Sequence, residues 1–327
     1  MTAEPEEKTY EDRLSLDVSG VTKSFGPIKA VNNVTFNVRK GEVVGFLGPN
    51  GSGKTTTMRL LTSFYTPDSG TILIEGIDNQ KQDVETRRKI GYLPENNPLY
   101  GDMLVNEYLK FVAQLRGTPH KELNSNLEMA VTETGIEAVY YRPISHCSKG
   151  YKQRVGLAQA ILHRPNILIM DEPTEGLDPN QRVPIRELIR SVGKDRTVLL
   201  STHVLQEVEE TCDRLLIISQ GDIKAQGTLE ELQGRAQSER YIHLEVEGEN
   251  IESSLRQLDG VDSVDKRERI NGRKRYILSV LSGKAIQPEI FNLAKQQNWV
   301  IWELHQETPR LSDLFHSLTS DDQNQER

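Results

Sequence analysis

A glycine-rich segment near the start of the chain constrains its fold more than any other feature. The segment fits the pattern G-x-x-x-x-G-K-[ST] of a phosphate-binding loop, and it reads Gly48, Pro49, Asn50, Gly51, Ser52, Gly53, Lys54 and Thr55. Residues 42–47 before it, which are mostly apolar, predict a buried strand, and residues 54 to about 63 after it predict a helix. This order of strand, loop and helix favours a phosphate site over a glycine-rich turn that binds nothing.

The residue types in the loop explain how it would bind phosphate. Glycines let the backbone turn so that successive N–H groups point at phosphate oxygens, and the start of the helix adds its own free N–H groups. We expect Lys54 to reach the β- and γ-phosphates of a nucleotide. We expect the Thr55 hydroxyl to bind Mg²⁺, with Thr56 next to it in the same site.

The composition argues against several classes of protein. The chain has 327 residues and a formal net charge of −8, so no basic excess indicates nucleic acid as its main partner. Its apolar runs are far shorter than the roughly 20 residues of a membrane-spanning helix, and its two cysteines give no disulfide scaffold. We expect the acidic residues 1–13 to form a disordered arm and the polar residues 320–327 to form a tail.

The order of predicted elements indicates an α/β core. Residues 14–22 and 31–38 predict antiparallel strands ahead of the loop, and residues 102 to about 140 show apolar residues at helical spacing. Short apolar runs predict further strands at residues 167–170, 197–201 and 214–219. Such runs are typical of a parallel sheet that is buried on both faces.

The apolar pattern starts again beyond residue 234 and predicts a second domain at residues 240–319. Its strands and helices follow the order β-α-β-β-α-β, which is the split ferredoxin-like pattern. Asn271 and Gly272 predict the hairpin turn between its two central strands. The expected fold class is therefore an α/β core domain followed by a small α+β domain.

Four further segments accompany the phosphate loop in a fixed order. They are Gly-Tyr-Leu-Pro-Glu at 91–95, Cys-Ser-Lys-Gly-Tyr-Lys-Gln-Arg at 147–154, an apolar run into Asp-Glu-Pro and Gly-Leu-Asp at 167–178, and Ser-Thr-His at 201–203. With the loop, this set closely resembles the nucleotide-binding subunit of ATP-binding cassette (ABC) transporters over roughly residues 14–235. The resemblance implies a P-loop cassette with a helical subdomain at about residues 102–145, and ATP as the nucleotide.

The resemblance also implies roles for residues at the ends of the apolar strands. Asp171 would hold Mg²⁺ through water, and Glu172 would act on the attacking water as a general base. His203 would contact the γ-phosphate and help to orient that water. Glu95, which stands where the family usually has glutamine, would approach Mg²⁺ with its carboxylate.

Other positions match parts of the cassette that lie further from the loop. Phe25 occupies the place where the family stacks an aromatic ring on adenine, and a core phenylalanine beside a turn is the alternative. Ser148 and Gly150 match the segment that binds the nucleotide held by the other subunit, and Asp178 matches a loop that crosses the dimer interface. The resemblance therefore implies two cassettes that meet head to tail around two ATP molecules, and we favour two identical chains.

The sequence departs from the family pattern at its signature segment. The usual Leu-Ser-Gly-Gly-Gln reads Cys-Ser-Lys-Gly-Tyr at residues 147–151. Together with the segment that ends in Glu95, this variant resembles the branch linked to gliding motility and to ABC-2 type exporters. Pro184 falls inside the helix expected after Asp178, so we expect that helix to kink or to begin there.

The leading interpretation is a Mg²⁺-dependent ATPase that powers export through transmembrane permease subunits on other chains. We expect it in the cytoplasm, peripheral on the cytoplasmic face of the cell membrane. One alternative is an ABC ATPase of translation, DNA repair or chromosome packing, although such relatives usually carry two cassettes or long coiled-coil insertions. Another is a module that senses ATP with little turnover, which the altered signature segment keeps open.

Overall fold

A computed structural model describes residues 14–237, 240–270, 273–280, 285–307 and 311–320. The chain divides into two compact units, the first ending at Thr228 and the second beginning at Leu229. The predicted arm at residues 1–13 and the tail beyond residue 320 lie outside the described residues. The division falls somewhat before the boundary that we expected near residue 235.

The first unit contains a phosphate-loop core with strands and helices in alternation. Its strands are β1 (Leu14–Phe25), β2 (Ile28–Arg39), β3 (Val43–Leu47), β4 (Ser69–Ile74), β5 (Ile77–Asp78), β6 (Ile90–Leu93), β7 (Ile167–Asp171), β8 (Thr197–Thr202), β9 (Arg214–Ser219) and β10 (Asp222–Thr228). Its helices are α1 (Lys54–Leu61), α2 (Asp83–Lys89), α3 (Val105–Leu115), α4 (His120–Thr134), α5 (Lys149–Ile161), α6 (Pro179–Gly193) and α7 (Leu205–Thr211).

A six-stranded sheet with the order β10-β9-β3-β8-β7-β6 forms the centre of this unit. Strand β3 pairs in parallel with β8 and β9, and β7 pairs in parallel with β8 and β6. Every residue of β3, β7 and β8 is buried, as their apolar sequences predict. Because carboxyl ends of parallel strands share one edge of a sheet, the segments after β3, β7 and β8 come together there.

An antiparallel sheet with the order β2-β1-β4-β5 completes the core. Strands β1 and β2 are joined by a turn at Gly26 and Pro27, and their register ends in the pair Phe25 and Ile28. Alternate residues are buried in the second half of β2, including Val34 and Phe36, and β1 buries Leu16. These side chains join Phe46 of β3 and Met58 of α1 in one hydrophobic cluster, which fixes the phosphate loop against the antiparallel sheet.

The predicted helical segment is interrupted more often than its pattern indicated. It contains α3, α4 and two short 3₁₀ turns at residues 137–139 and 144–146 before α5 begins. The expectation for Pro184 was wrong about the helix start, because α6 begins at Pro179 and passes through Pro184. Asp178 caps that helix by accepting a hydrogen bond from the Gln181 N–H at 3.0 Å, so the start is set five residues before Pro184.

The second unit is a small α+β domain. Its elements are α8 (Leu229–Gln237), β11 (Arg240–Glu247), α9 (Ile251–Leu255), β12 (Val261–Ile270), β13 (Arg273–Val280), α10 (Gln287–Gln296), β14 (Val300–Glu307) and α11 (Leu311–Ser320). Its sheet has the order β12-β13-β11-β14, and all neighbouring strands are antiparallel. From β11 to β14 the elements follow the predicted order β-α-β-β-α-β. The predicted turn at Asn271 and Gly272 lies outside the described residues.

Among the helices of the described residues, none combines the length and the apolar character that crossing a bilayer requires.

Candidate functional site

Two glycines of the phosphate loop stand where no side chain fits. Gly53 precedes α1 with a φ of +104°, and a Cβ there would lie 2.3 Å from the Ala30 carbonyl oxygen. A Cβ on Gly48 would lie 2.4 Å from the Ile218 carbonyl oxygen. The loop is therefore pressed between β2 and the end of β9, and its backbone shape depends on glycine at both positions.

Lys54 is the buried cation of the loop. Its side chain is only 6% exposed, and its ammonium donates hydrogen bonds to the carbonyl oxygens of Gly48 (2.8 Å) and Pro49 (3.0 Å). The same Nζ lies 3.3 Å from Oε1 of Glu172. A buried ammonium with these partners carries its charge at the mouth of the loop, where a phosphate group would meet it.

Asp171 and Thr55 meet at the end of β7 and the start of α1. Thr55 Oγ1 donates a hydrogen bond to Oδ1 of Asp171 at 3.3 Å, and Ser201 Oγ donates to the same oxygen at 2.5 Å. The second oxygen of Asp171, Oδ2, is buried and has no hydrogen-bond partner among the residues that the structure describes. A buried carboxylate oxygen without a donor, next to a hydroxyl, fits a Mg²⁺ site whose ligands are oxygens.

Glu172 and His203 form the next layer of the site. Glu172 is buried and has a φ of +49°, a strained conformation that its N–H stabilises by donating to Ser201 at 3.1 Å. Its Oε2 lies 3.0 Å from Nδ1 of His203, which follows β8. The carboxylate is thus held between the Lys54 ammonium on one oxygen and the His203 ring on the other.

A cavity of about 310 Å³ lies in front of the loop. Its walls include most of the residues predicted to bind ATP or to act on it, namely Asn50, Gly51, Gly53, Lys54, Thr55, Thr56, Glu95, Glu172 and His203. The structure therefore brings the loop, the end of β7 and the end of β8 to one open space. Their individual roles stay predictions.

Phe25 is not among the residues that line this cavity. Its ring is 43% exposed and packs edge-to-face on Tyr65, with 5.2 Å between the ring centres. The Lys23 ammonium lies 5.7 Å from the same ring. At this exposure Phe25 is not the core phenylalanine that we weighed as the alternative, and stacking on adenine stays a prediction.

The signature segment faces a different space. Ser148 caps α5 by accepting a hydrogen bond from the Tyr151 N–H at 3.3 Å. Ser148 and Gly150 line a second cavity of about 300 Å³, opposite Asn180 and Gln181 of α6, and no residue of the phosphate loop lines it. In one chain the two halves of the predicted ATP site therefore stay apart.

Lys149, which replaces a glycine of the usual signature, is not among the residues that line that second cavity. A Cβ built on Gly176 would lie only 1.8 Å from Lys149 Nζ, so the lysine side chain rests on this glycine. Gly176 has a φ of +65° and belongs to the Gly-Leu-Asp loop that ends at Asp178. The Lys149 side chain thus places the start of α5 in contact with this loop.

Comparisons with known proteins agree with this geometry. A family model described as ABC transporter matches residues 31–175. The linearmycin resistance ATP-binding protein LnrL of Bacillus subtilis (strain 168) is 31% identical over 307 residues, which are 93% of this chain and 98% of LnrL. The chain belongs to the family of ABC transporter ATP-binding proteins.

Further members of this family and one solved structure support the same assignment. The uncharacterized ABC transporter ATP-binding protein YxlF of the same Bacillus strain is 40% identical over 223 residues, which are 68% of this chain and 74% of YxlF. A solved ATP binding subunit of an ABC transporter has a TM-score of 0.61 at 32% identity, over 67% of this chain and 92% of that one. The protein is an ATPase of the cassette family, and the fold predicted for its first unit is confirmed.

Two residues of the cassette's cavity were missed in the sequence. Ala30 lines it because β2 passes beside the loop, and the sequence carries no sign of this approach. Glu175 lines it as well, and its Oε2 lies 3.8 Å from Nε2 of His203. Its position three residues after Glu172 was a usable signal, because both side chains follow the end of the same strand.

Proposed function

We propose that this chain hydrolyses MgATP in composite sites formed by two copies of itself and so powers an exporter. The separation of the two cavities carries the proposal. Lys54, Glu172 and His203 line one cavity, whereas Ser148 and Gly150 line the other. A second cassette, placed head to tail, would present its Ser148 and Gly150 to the nucleotide that the first one holds.

The residues of one cavity have complementary roles in this reaction. The loop N–H groups and Lys54 bind the phosphates, while Thr55 and Asp171 hold Mg²⁺, with Glu95 within reach from the cavity wall. Mg²⁺, when bound, neutralises charge on the phosphate oxygens. Glu172 takes the proton of the attacking water, since its carboxylate is buried and already oriented by its neighbours.

Mixing two inactive variants tests the composite site. Glu172→Gln disables the site of its own chain, and Ser148→Arg disables only the site of the chain it faces. A mixed pair retains one complete site, made of Glu172 from the Ser148→Arg chain and Ser148 from the Glu172→Gln chain. We expect each variant alone to have almost no ATPase activity and the mixture to recover a substantial part of the wild-type rate.

Two controls make this experiment decisive. The wild-type rate per chain should rise with protein concentration, because pairing limits activity when the chain is dilute. Both variants should still bind a nucleotide analogue and keep the wild-type circular dichroism spectrum. If the mixture stays inactive while both variants remain folded and bind the analogue, the two-copy site is wrong, and a different cassette or a role with little turnover gains weight.

The transport partner and the direction of transport belong to the same proposal. LnrL, a relative over almost the whole length of this chain, is described as a resistance protein, and the variant signature resembles that of ABC-2 type exporters. We expect permease subunits with membrane-spanning helices to bind the cassette at the cytoplasmic face of the membrane. Affinity purification from gently solubilised membranes should recover such a permease with a raised ATPase rate, whereas recovery with nucleic acid or ribosomes would contradict it.

A further inference from the structure

His203 is held between two carboxylates, and only one of them belongs to the expected catalytic set. Its Nδ1 lies 3.0 Å from Oε2 of Glu172, and its Nε2 lies 3.8 Å from Oε2 of Glu175. The three side chains offer nitrogen and oxygen atoms that all lie within 4.8 Å of one another. Both ring nitrogens of His203 thus face a carboxylate before any nucleotide is bound.

Glu175 lies beside the ring nitrogen of His203 that a phosphate group in the cavity would approach. His203 Nε2 is the ring nitrogen left for a phosphate once Glu172 occupies Nδ1. Glu175 lies on that same side, lines the cavity and has a half-exposed side chain (46%). An anion that approaches Nε2 therefore meets a negative charge at short range, and like charges repel.

The Lys54 ammonium, which lines the same cavity, does not cancel this charge. The Lys54 ammonium is already in contact with Glu172 at 3.3 Å. The other carboxylate in the cavity wall, Glu95, adds further negative charge. The end of the cavity that would receive a third phosphate is thus more acidic than the glycine loop that would receive the first two.

We propose that Glu175 is a specificity-determining residue, which competes with the terminal phosphate of ATP for Nε2 of His203 and so weakens ATP binding relative to ADP. The inference rests on the proposed function, because it assumes that the cavity receives the γ-phosphate beside His203. ADP lacks that phosphate and leaves the Glu175–His203 contact in place. ATP must displace the Glu175 side chain, which is free to turn outward since it is half exposed.

The affinities of a non-hydrolysable ATP analogue and of ADP, both with Mg²⁺, test the inference by calorimetry. Glu175→Gln keeps the shape of the side chain and removes its charge. We expect it to bind the analogue roughly three- to tenfold more tightly, as a single partly screened charge allows, while the affinity for ADP changes less than about twofold. Glu187→Gln, an equal charge change at an exposed position of α6, should alter neither affinity.

The ratio of the two affinities separates the possible outcomes. A role of Glu175 in loop structure alone would shift the analogue and ADP together, which would overturn the inference, as would an unchanged or weaker affinity for the analogue. If the wild-type chain binds neither nucleotide, the proposed function fails and this inference fails with it. Thermal unfolding of Glu175→Gln, followed by circular dichroism, verifies that the variant is folded.

Discussion

The buried contact between Lys54 and Glu172 predicts a large cost for removing the lysine from the nucleotide-free protein. Nζ and Oε1 are 3.3 Å apart, and the two side chains are only 6% and 8% exposed. With an effective dielectric constant of about 20, two unit charges at this distance attract by about 5 kcal/mol. Lys54→Met keeps the length of the side chain and leaves Glu172 buried without its cation, so the free energy of unfolding should fall by about 3–5 kcal/mol.

A double-mutant cycle isolates this contact. In a Glu172→Gln background the carboxylate charge is gone, and Lys54→Met should then cost less than about 2 kcal/mol, since the loss of the ammonium's hydrogen bonds to the loop carbonyls is offset by removal of a buried cation that has lost its carboxylate partner. Urea unfolding without nucleotide gives the four free energies. Both tryptophans, Trp299 and Trp302, lie in the second unit, so their fluorescence follows that unit, while far-UV circular dichroism also reports the first.

An exposed ion pair of the same unit serves as the matched control. Arg87 and Asp83 on α2 are about half exposed, so the same cycle with Arg87→Met and Asp83→Asn should give a coupling energy of at most about 0.5 kcal/mol. If Lys54→Met costs the same in both backgrounds, within about 0.5 kcal/mol, the electrostatic account of the buried contact is refuted.

The structure supports three further predictions for the first unit. Gly53→Ala should abolish nucleotide binding and lower the melting temperature, because a Cβ would meet the Ala30 carbonyl at 2.3 Å; a fully active variant would contradict the loop geometry. Asp178→Ala removes the cap of α6 and should cost about 1 kcal/mol in urea unfolding, whereas Asp178→Asn should cost less. Burial lowers the pKa of His163 from 6.5 to about 4. Between these two pH values its imidazole is therefore mostly neutral in the folded chain and mostly protonated in the unfolded chain. The free energy of unfolding should therefore fall by about 3 kcal/mol from pH 6.5 to 4, and His163→Gln should flatten that part of the pH profile.

The phosphate loop was predictable because its chemistry leaves few alternatives for the backbone. Gly48 and Gly53 occupy positions that exclude a Cβ, and Lys54 begins the helix that the pattern requires. The core strands were predictable for a similar reason, since a run such as residues 167–170 is apolar on both faces and fits only a covered sheet. Such features can be predicted from the sequence because they are determined by residues that are neighbours along the chain.

Contacts between segments that are distant in the sequence could not be predicted in the same way. Ala30 lies close to Gly53 because β2 passes beside the phosphate loop. The Lys149 ammonium contacts Gly176 only because α5 and the loop before α6 pack together. The helix that passes through Pro184 is a second feature that the sequence did not predict. A local rule predicted that the helix kinks or begins at Pro184, but the cap at Asp178 sets its start.

The charged side chains of the site are already in contact with one another. Lys54 neutralises Glu172 and hydrogen-bonds to loop carbonyls, while His203 lies between Glu172 and Glu175. A phosphate group must therefore replace contacts of both Lys54 and His203. Displacing the Lys54 ammonium frees Oε1 of Glu172 for the attacking water, while Oε2 of Glu172 keeps its contact with Nδ1 of His203. Glu172 is therefore free to act as the general base only once the terminal phosphate has bound to Lys54. This order couples hydrolysis of ATP to its complete binding.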